Sequence, residues 1–261
     1  MHLKTLLLSI ACGTLPCATW AETPEAKGLR IAKTSDERDS GWKDMRSTMR
    51  MVITDRQGRE TSREIRNQQM EVTGDGDKSL IVFESPPDVK GTAFLNHTHA
   101  NRPDDQWLFL KSIKRVKRIS SNNKSGPFMG SEFAYEDISS QEVEKYKYKH
   151  LYDKTLDGRK AFVVEQIPQY EYSGYTKLVV WIDQTHWRPL KIDFYDRKES
   201  LLKTLHYRGY KTYLNKYHRP AEMQMVTHQT GRKTTLFWDK YQFQSGLTDS
   251  DFDQNALKSA R

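Results

Sequence analysis

The chain has 261 residues, and its 42 Lys and Arg against 34 Asp and Glu leave a formal net charge of +8. That moderate excess suits anionic partners such as phospholipid headgroups, lipopolysaccharide or an acidic protein face. No stretch after residue 21 reaches the roughly 18 uninterrupted apolar residues of a spanning helix, which argues against a helical membrane protein.

At the start, Lys4, an apolar run from Leu6 to Cys12 and a small-residue exit at Ala18-Thr19-Trp20-Ala21 read as a cleavable secretory leader over residues 1–21. Export disfavours nucleic acid as a partner. Neither cysteine has an aliphatic residue three places before it, since Cys12 follows Ser9 and Cys17 follows Thr14, so a lipid anchor is not expected. Both cysteines fall in the leader. Residues 22–261 then hold no thiol for a disulfide, a metal or nucleophilic attack, and are expected to form one packed domain.

Thr23-Pro24-Glu25 supplies an N-cap, a Pro at the first helical position and an acidic first turn, so a helix is predicted from here to just before Ser40-Gly41. From Asp44 the period becomes two, with Met45, Ser47, Met49, Met51 and Ile53 on one face. Asp55-Arg56-Gln57-Gly58 turns the chain back through 60–72 as an antiparallel hairpin. Asp75-Gly76 leads into Leu80–Phe83, Pro86-Pro87 breaks the strand, and 91–98, 106–110 and 113–119 follow. Ser120 to Gly126 reads as a mobile loop. Ser139 with Glu142 forms a capping-box pattern for a short helix near 139–145. Strands are predicted near 147–152, 160–167, 176–183, 189–196, 200–213, 218–228 and 233–243, and Thr248 with Asp251 caps a last helical turn. The class is mainly β (α+β), antiparallel with a few helices. A membrane barrel does not fit: Lys114 and Arg118 face one side of 113–119 and Arg115 and Lys117 the other, each costing about 2–4 kcal/mol at a bilayer midplane.

Signals for chemistry are sparse. His97 and His99 could form half a metal site with Asp104 or Asp105, but no Cys pair or H-E-x-x-H supports it, and no metal or cofactor is assigned. Gly74 to Ser79 lacks the Gly-Lys and following helix of a phosphate loop and reads as a hairpin turn. There is no G-x-S-x-G elbow. Glu136-Asp137 is the carboxylate pair to check, although neighbours on a strand point to opposite faces. No catalytic residue is assigned. The basic stretch Lys111 to Arg118 reads equally as an edge strand protected by its charges and as a docking surface.

Several segments carry a family resemblance: V-K-G-T-A-F-L (89–95), D-D-Q-W-L-F-L (104–110), K-R-V-K-R-I (114–119), F-M-G-S-E-F-A-Y-E-D (128–137), S-G-Y-T-K (173–177) before W-I-D (181–183), and F-Y-D (194–196) before L-L-K-T-L (201–205). Together they resemble the outer-membrane lipoprotein-sorting protein family, whose members are similar to the periplasmic carrier LolA of Gram-negative bacteria. The resemblance covers nearly all of residues 22–261. Small departures are Phe109, where an aromatic with a hydroxyl is common, and Ser112, where Pro is often seen.

The resemblance implies an incomplete, strongly curved antiparallel β-barrel of about 11 strands with short helices as plug or lid. It also implies a periplasmic protein working with transporters of the resistance-nodulation-division (RND), MmpL-like class. On that basis the wall of an acyl-chain cavity is expected from Met49, Met51, Val82, Phe94, Trp107, Phe109, Phe128, Met129, Phe133 and Tyr135. Lys114, Arg115, Lys117 and Arg118 would contact a partner or headgroups, and Gly126 and Gly130 would hinge a lid over 120–130. The protein would carry a lipid or lipoprotein as a monomer. The alternatives are an adaptor that docks through its basic strand and carries nothing, and a hydrolase of envelope polymers, which requires a polar cleft holding a carboxylate of raised pKa.

Overall fold

The computed structural model describes residues 21–259, so the expected leader lies outside them apart from Ala21. Thr23 Oγ1 accepts from the Ala26 amide (3.1 Å) and Pro24 opens the turn, which fixes helix α1 at Pro24–Asp39. Strands β1 (Asp44–Thr54) and β2 (Glu60–Met70) form the expected hairpin, and β3 (Lys78–Ser85), β4 (Ala93–His97), β5 (Asp105–Leu110) and β6 (Arg115–Ile119) follow. A connecting segment, residues 120–145, leads to β7 (Tyr146–Leu156), β8 (Arg159–Pro168), β9 (Tyr175–Asp183), β10 (Pro189–Asp196) and β11 (Leu201–Arg208). The strands expected over 200–213 and 218–228 each split. Gly209 (φ +63°) and Pro220 interrupt them, leaving β12 (Lys211–Tyr213) and β13 (Tyr217–Arg219) as a separate hairpin before β14 (Glu222–Thr227) and β15 (Lys233–Phe243). A short turn at Asp249–Phe252, closed by the Thr248 amide on Asp251 (2.8 Å), precedes α2 (Gln254–Ser259).

Thirteen strands make one antiparallel sheet in the order β6-β5-β4-β3-β2-β1-β15-β14-β11-β10-β9-β8-β7. Its edges, β6 and β7, do not pair with each other, so the curved sheet stays open. That is the incomplete barrel expected, with more strands than the resemblance implied.

Alternation sorts side chains onto two faces. The inner face carries the main core, where Met49, Met51, Ile81, Phe83 and Phe94 meet Ile31 of α1 and Phe128 and Phe133 of the connecting segment. On the outer face Leu80, Val82, Leu95 and Phe109 are covered by Leu247, Phe252 and Leu257 around α2.

The connecting segment departs from expectation. Ser120–Gly126 is tied down: Lys124 is buried, with Nζ 3.8 Å from Asp104 and 4.4 Å from the centre of the Tyr170 ring, and its carbonyl accepts from the Glu136 amide. No helix opens at Ser139, because Gln106 donates to Ser139 Oγ (3.0 Å) and Ser140 Oγ engages Glu142 (2.6 Å); only a 3-10 turn, Val143–Lys145, forms.

Candidate functional site

Between the inner face and its cover lies a cavity of about 800 Å³. The register shows how it runs: Asn96 lies opposite Ser79, Ser79 opposite Gln69 and Gln69 opposite Met45, while Met51, Leu236, Met223 and Tyr207 form a second row. The cavity therefore crosses the strands from β4 to β11 at one end of the sheet, and its two ends differ in chemistry. The floor is Met45, Met49, Met51, Ile81 and Leu236, and the cover is Trp187 with the C-terminal turn of α1 from Ser35 to Asp39. Ser35 Oγ holds the two together by donating to the Trp187 carbonyl (2.6 Å).

The end on β2–β4 is polar. Gln106 Nε2 donates to Asn96 Oδ1 (3.1 Å), Asn96 Nδ2 donates to Thr98 Oγ1 (2.8 Å), and Asn67 Nδ2 donates to Ser47 Oγ (3.4 Å), so the amides largely satisfy one another. Asp77 lines this end. Burial first, then the charges of Glu142 and Glu71, push its carboxyl up from 3.8 to about 7.

The opposite end is aromatic and cationic. Tyr207, Tyr210, Trp238 and Tyr241 line it with Arg188 and Arg219. Arg188 lies over the Tyr210 ring at 4.1 Å, and Arg219 Nη1 donates to Asp39 Oδ1 (2.6 Å). The β12–β13 hairpin closes this end against α1, with Lys216 Nζ and Tyr217 OH both donating to the Ser40 carbonyl. His186 and His218 meet at the rim with ring centres 4.7 Å apart.

Of the wall residues expected from sequence, Met49, Met51 and Phe133 line the cavity. Phe94, Phe128 and Tyr135 meet in edge-on and tilted contacts with centroids 5.2 to 5.5 Å apart, an aromatic cluster of the inner core that Met129 packs beside. Val82, Trp107 and Phe109 do not line it; they belong to the outer face. Phe109 lies opposite Ala93, whereas the partner of Phe94 is Leu108, so the expected set was one residue out of phase on β5. Trp42, Trp187, Tyr207, Tyr210 and Trp238 were missed. Trp187 and Tyr210 lie between strands, where no periodicity marks them.

Segment 120–137 is stapled across the inner face. Arg63 donates to the Met129 carbonyl (2.6 Å), Arg232 to the Gly130 carbonyl (3.0 Å), Thr234 Oγ1 accepts from the Glu132 amide (3.0 Å), and Thr227 bonds the Glu132 carboxylate. Gly130 has φ +74° with open space beside it, and Gly126 donates its amide to the Asn123 carbonyl. Glu136 and Asp137 do not point apart as on a strand. They share the turn Tyr135–Asp137, where Glu136 accepts from Tyr170, Ser173 and the Gly174 amide, and Asp137 accepts from Tyr175 and Lys203 (2.6 Å). Burial, then the Asp137 charge, raises the Glu136 pKa.

Lys114 sits in a left-handed turn ahead of β6 (φ +50°), and Arg115, Lys117 and Arg118 are exposed on that edge strand, Arg118 paired with Asp105. His97 bonds the Phe252 carbonyl (2.7 Å) and His99 lies between Asp75 (2.6 Å) and Asp105 (3.2 Å), which holds the Asp75 carboxyl down at about 2. Among the described residues no cluster of three or more His, Cys, Asp or Glu is disposed to hold a metal, and no helix is long and apolar enough to cross a membrane.

An open, curved antiparallel sheet with a helix and a connecting segment laid over a cavity on its inner face defines a LolA-like half-barrel. A domain from Vibrio parahaemolyticus named for outer membrane lipoprotein sorting is 56% identical, with 89% of this chain and 98% of that one covered at a TM-score of 0.88. A DUF1329 family protein from Desulfovibrio piger is 27% identical over 90% and 99% of the two chains, TM-score 0.85. A LolA superfamily protein from Nitrosomonas europaea shares the fold at 21% identity, covering 88% and 98%, TM-score 0.70. A family model described as "Uncharacterized protein" matches residues 75–259. The chain belongs to this family of outer membrane lipoprotein-sorting domains. An uncharacterized protein from Methanocaldococcus jannaschii is 37% identical over 51 residues, 20% of this chain, and the chain spans only 15% of that relative's length.

Proposed function

We propose that the protein is a non-catalytic periplasmic carrier that holds the acyl chain of a lipid or lipoprotein in the cavity and exchanges it with an RND or MmpL-type transporter. The observation that carries this reading is the cavity of about 800 Å³ with its floor of methionines, flexible side chains suited to irregular chains. Sequestering sixteen carbons at ~0.8 kcal/mol per CH₂ is worth on the order of 13 kcal/mol before ordering costs. Holding is easy at that scale, so release requires a cover that moves. The kinship with lipoprotein-sorting domains supports the cargo class, and the transporter partner rests on the sequence resemblance alone. Protein purified from periplasm without detergent should carry an acyl lipid near one per chain by native mass spectrometry. Protein that elutes lipid-free and takes up none from vesicles would end the proposal.

A second reading has an observation of its own. The exposed Arg115, Lys117 and Arg118 stand on an unpaired sheet edge, where an acidic partner strand or face could dock. In that reading the protein is an adaptor and the cavity is idle.

A further inference from the structure

Among the described residues, Ser79 Oγ, Arg188 Nε, Arg219 Nε and Trp238 Nε1 are buried polar atoms without a hydrogen-bond partner, and all four residues line the cavity. Unpaired buried donors are costly, so their gathering around one hollow points to a partner that arrives with the ligand. Three of the four belong to the aromatic, cationic end. Arg188 Cζ lies 4.1 Å from the centre of the Tyr210 ring, the Asp183 carboxylate is 3.7 Å from its Nε, and burial depresses its pKa. Asp39 occupies Nη1 of Arg219 and leaves Nε free. Trp238, whose amide donates to the Ala221 carbonyl two residues past Arg219, brings its indole N–H to the same end. Lys216 and Arg38 add positive charge there against Glu37 and Asp39.

We propose that this end is a headgroup site for the anionic terminus, a carboxylate or phosphate monoester, of a single-chain amphiphile whose hydrocarbon lies over the methionine floor. The proposal rests on the carrier reading and adds the polarity of the cargo and its direction in the cavity. A guanidinium fixed on an aromatic ring presents its donors in the fork that matches carboxylate and phosphate oxygens. The neutral amides at the other end offer an anion no such pairing.

Trp42, Trp187 and Trp238 line the cavity, so intrinsic fluorescence reports occupancy. Titration with dodecyl phosphate, dodecanol, dodecyltrimethylammonium and inorganic phosphate tests the idea. Dodecyl phosphate should bind about tenfold tighter than dodecanol, a difference of ~1.4 kcal/mol. Arg188→Gln should erase most of that gap by weakening dodecyl phosphate far more than dodecanol, while Arg188→Lys keeps part of it. Equal affinity for phosphate and alcohol in the unsubstituted protein, a preference for the ammonium, or a gap that survives both Arg188→Gln and Arg219→Gln would overturn the headgroup site and leave the carrier standing. Inorganic phosphate binding as tightly as dodecyl phosphate would make this a free-anion site and overturn the amphiphile. If no dodecyl compound binds, the carrier and the headgroup site fall together.

Discussion

At the scale of single residues, Asp77 is the most informative group in the cavity. Its carboxyl, raised to about 7, binds a proton more tightly in the folded chain than in the unfolded one. Stability from this group is therefore complete below about pH 4 and drains away as pH rises to 7. Discounted for its partial exposure, the loss is on the order of 2 kcal/mol. Asp77→Asn should match the unsubstituted protein in urea unfolding at pH 4 and exceed it at pH 8; equal midpoints at both pH values would show that the carboxyl is not destabilised when charged. A raised carboxyl in a cleft is also what a hydrolase would need. Around Asp77 the charges of Glu142 and Glu71 stand beside the amides and hydroxyls of Asn96, Thr98 and Ser79 that line the same end of the cavity.

At the scale of elements, α1 covers the cavity and is held by Ile31 in the core, by Ser35 on the Trp187 carbonyl, by Asp39 on Arg219 and by a close main-chain contact with β7. A Cβ on Gly28 would stand 2.7 Å from the His150 amide nitrogen and 2.8 Å from Lys149 backbone atoms, so helix and β7 touch main chain to main chain. Gly to Ala in a helix ordinarily gains about 1 kcal/mol. Gly28→Ala should instead cost about 1–3 kcal/mol by overpacking, read as a lowered Tm, and should speed lipid exchange if α1 gates the cavity. A raised Tm would show that the helix does not bear on β7 in solution. Much of this architecture was legible beforehand: Thr23-Pro24 marked α1, and the alternation through Met49 and Met51 marked the inner face of β1. Parity failed on β5 for a physical reason. With α2 covering the outside, Trp107, Leu108, Phe109 and Leu110 are all apolar, and a strand covered on both faces loses the alternation that tells them apart. The cationic end was illegible because Arg188, from the connection between β9 and β10, and Arg219, at the end of β13, are brought together only by the folded sheet.

At the scale of the whole molecule, cavity and basic edge are separable. Reversing Arg115, Lys117 and Arg118 to Glu changes exposed positions on β6, remote in sheet order from β1 and β15, which carry the methionines and Leu236 of the cavity floor. A carrier should keep its co-purifying lipid in this triple variant even if it loses a transporter; loss of both would tie the edge to the cargo. The order of strands has one more consequence. The two free edges of the sheet, β6 and β7, are consecutive in sequence, so residues 120–145 run as a tether between the lips of the open barrel, sewn down at Arg63, Lys203 and Thr234. The barrel can splay only as far as that stitched cord allows, and a bulkier guest must slip in past the helix or unpick the stitches one by one.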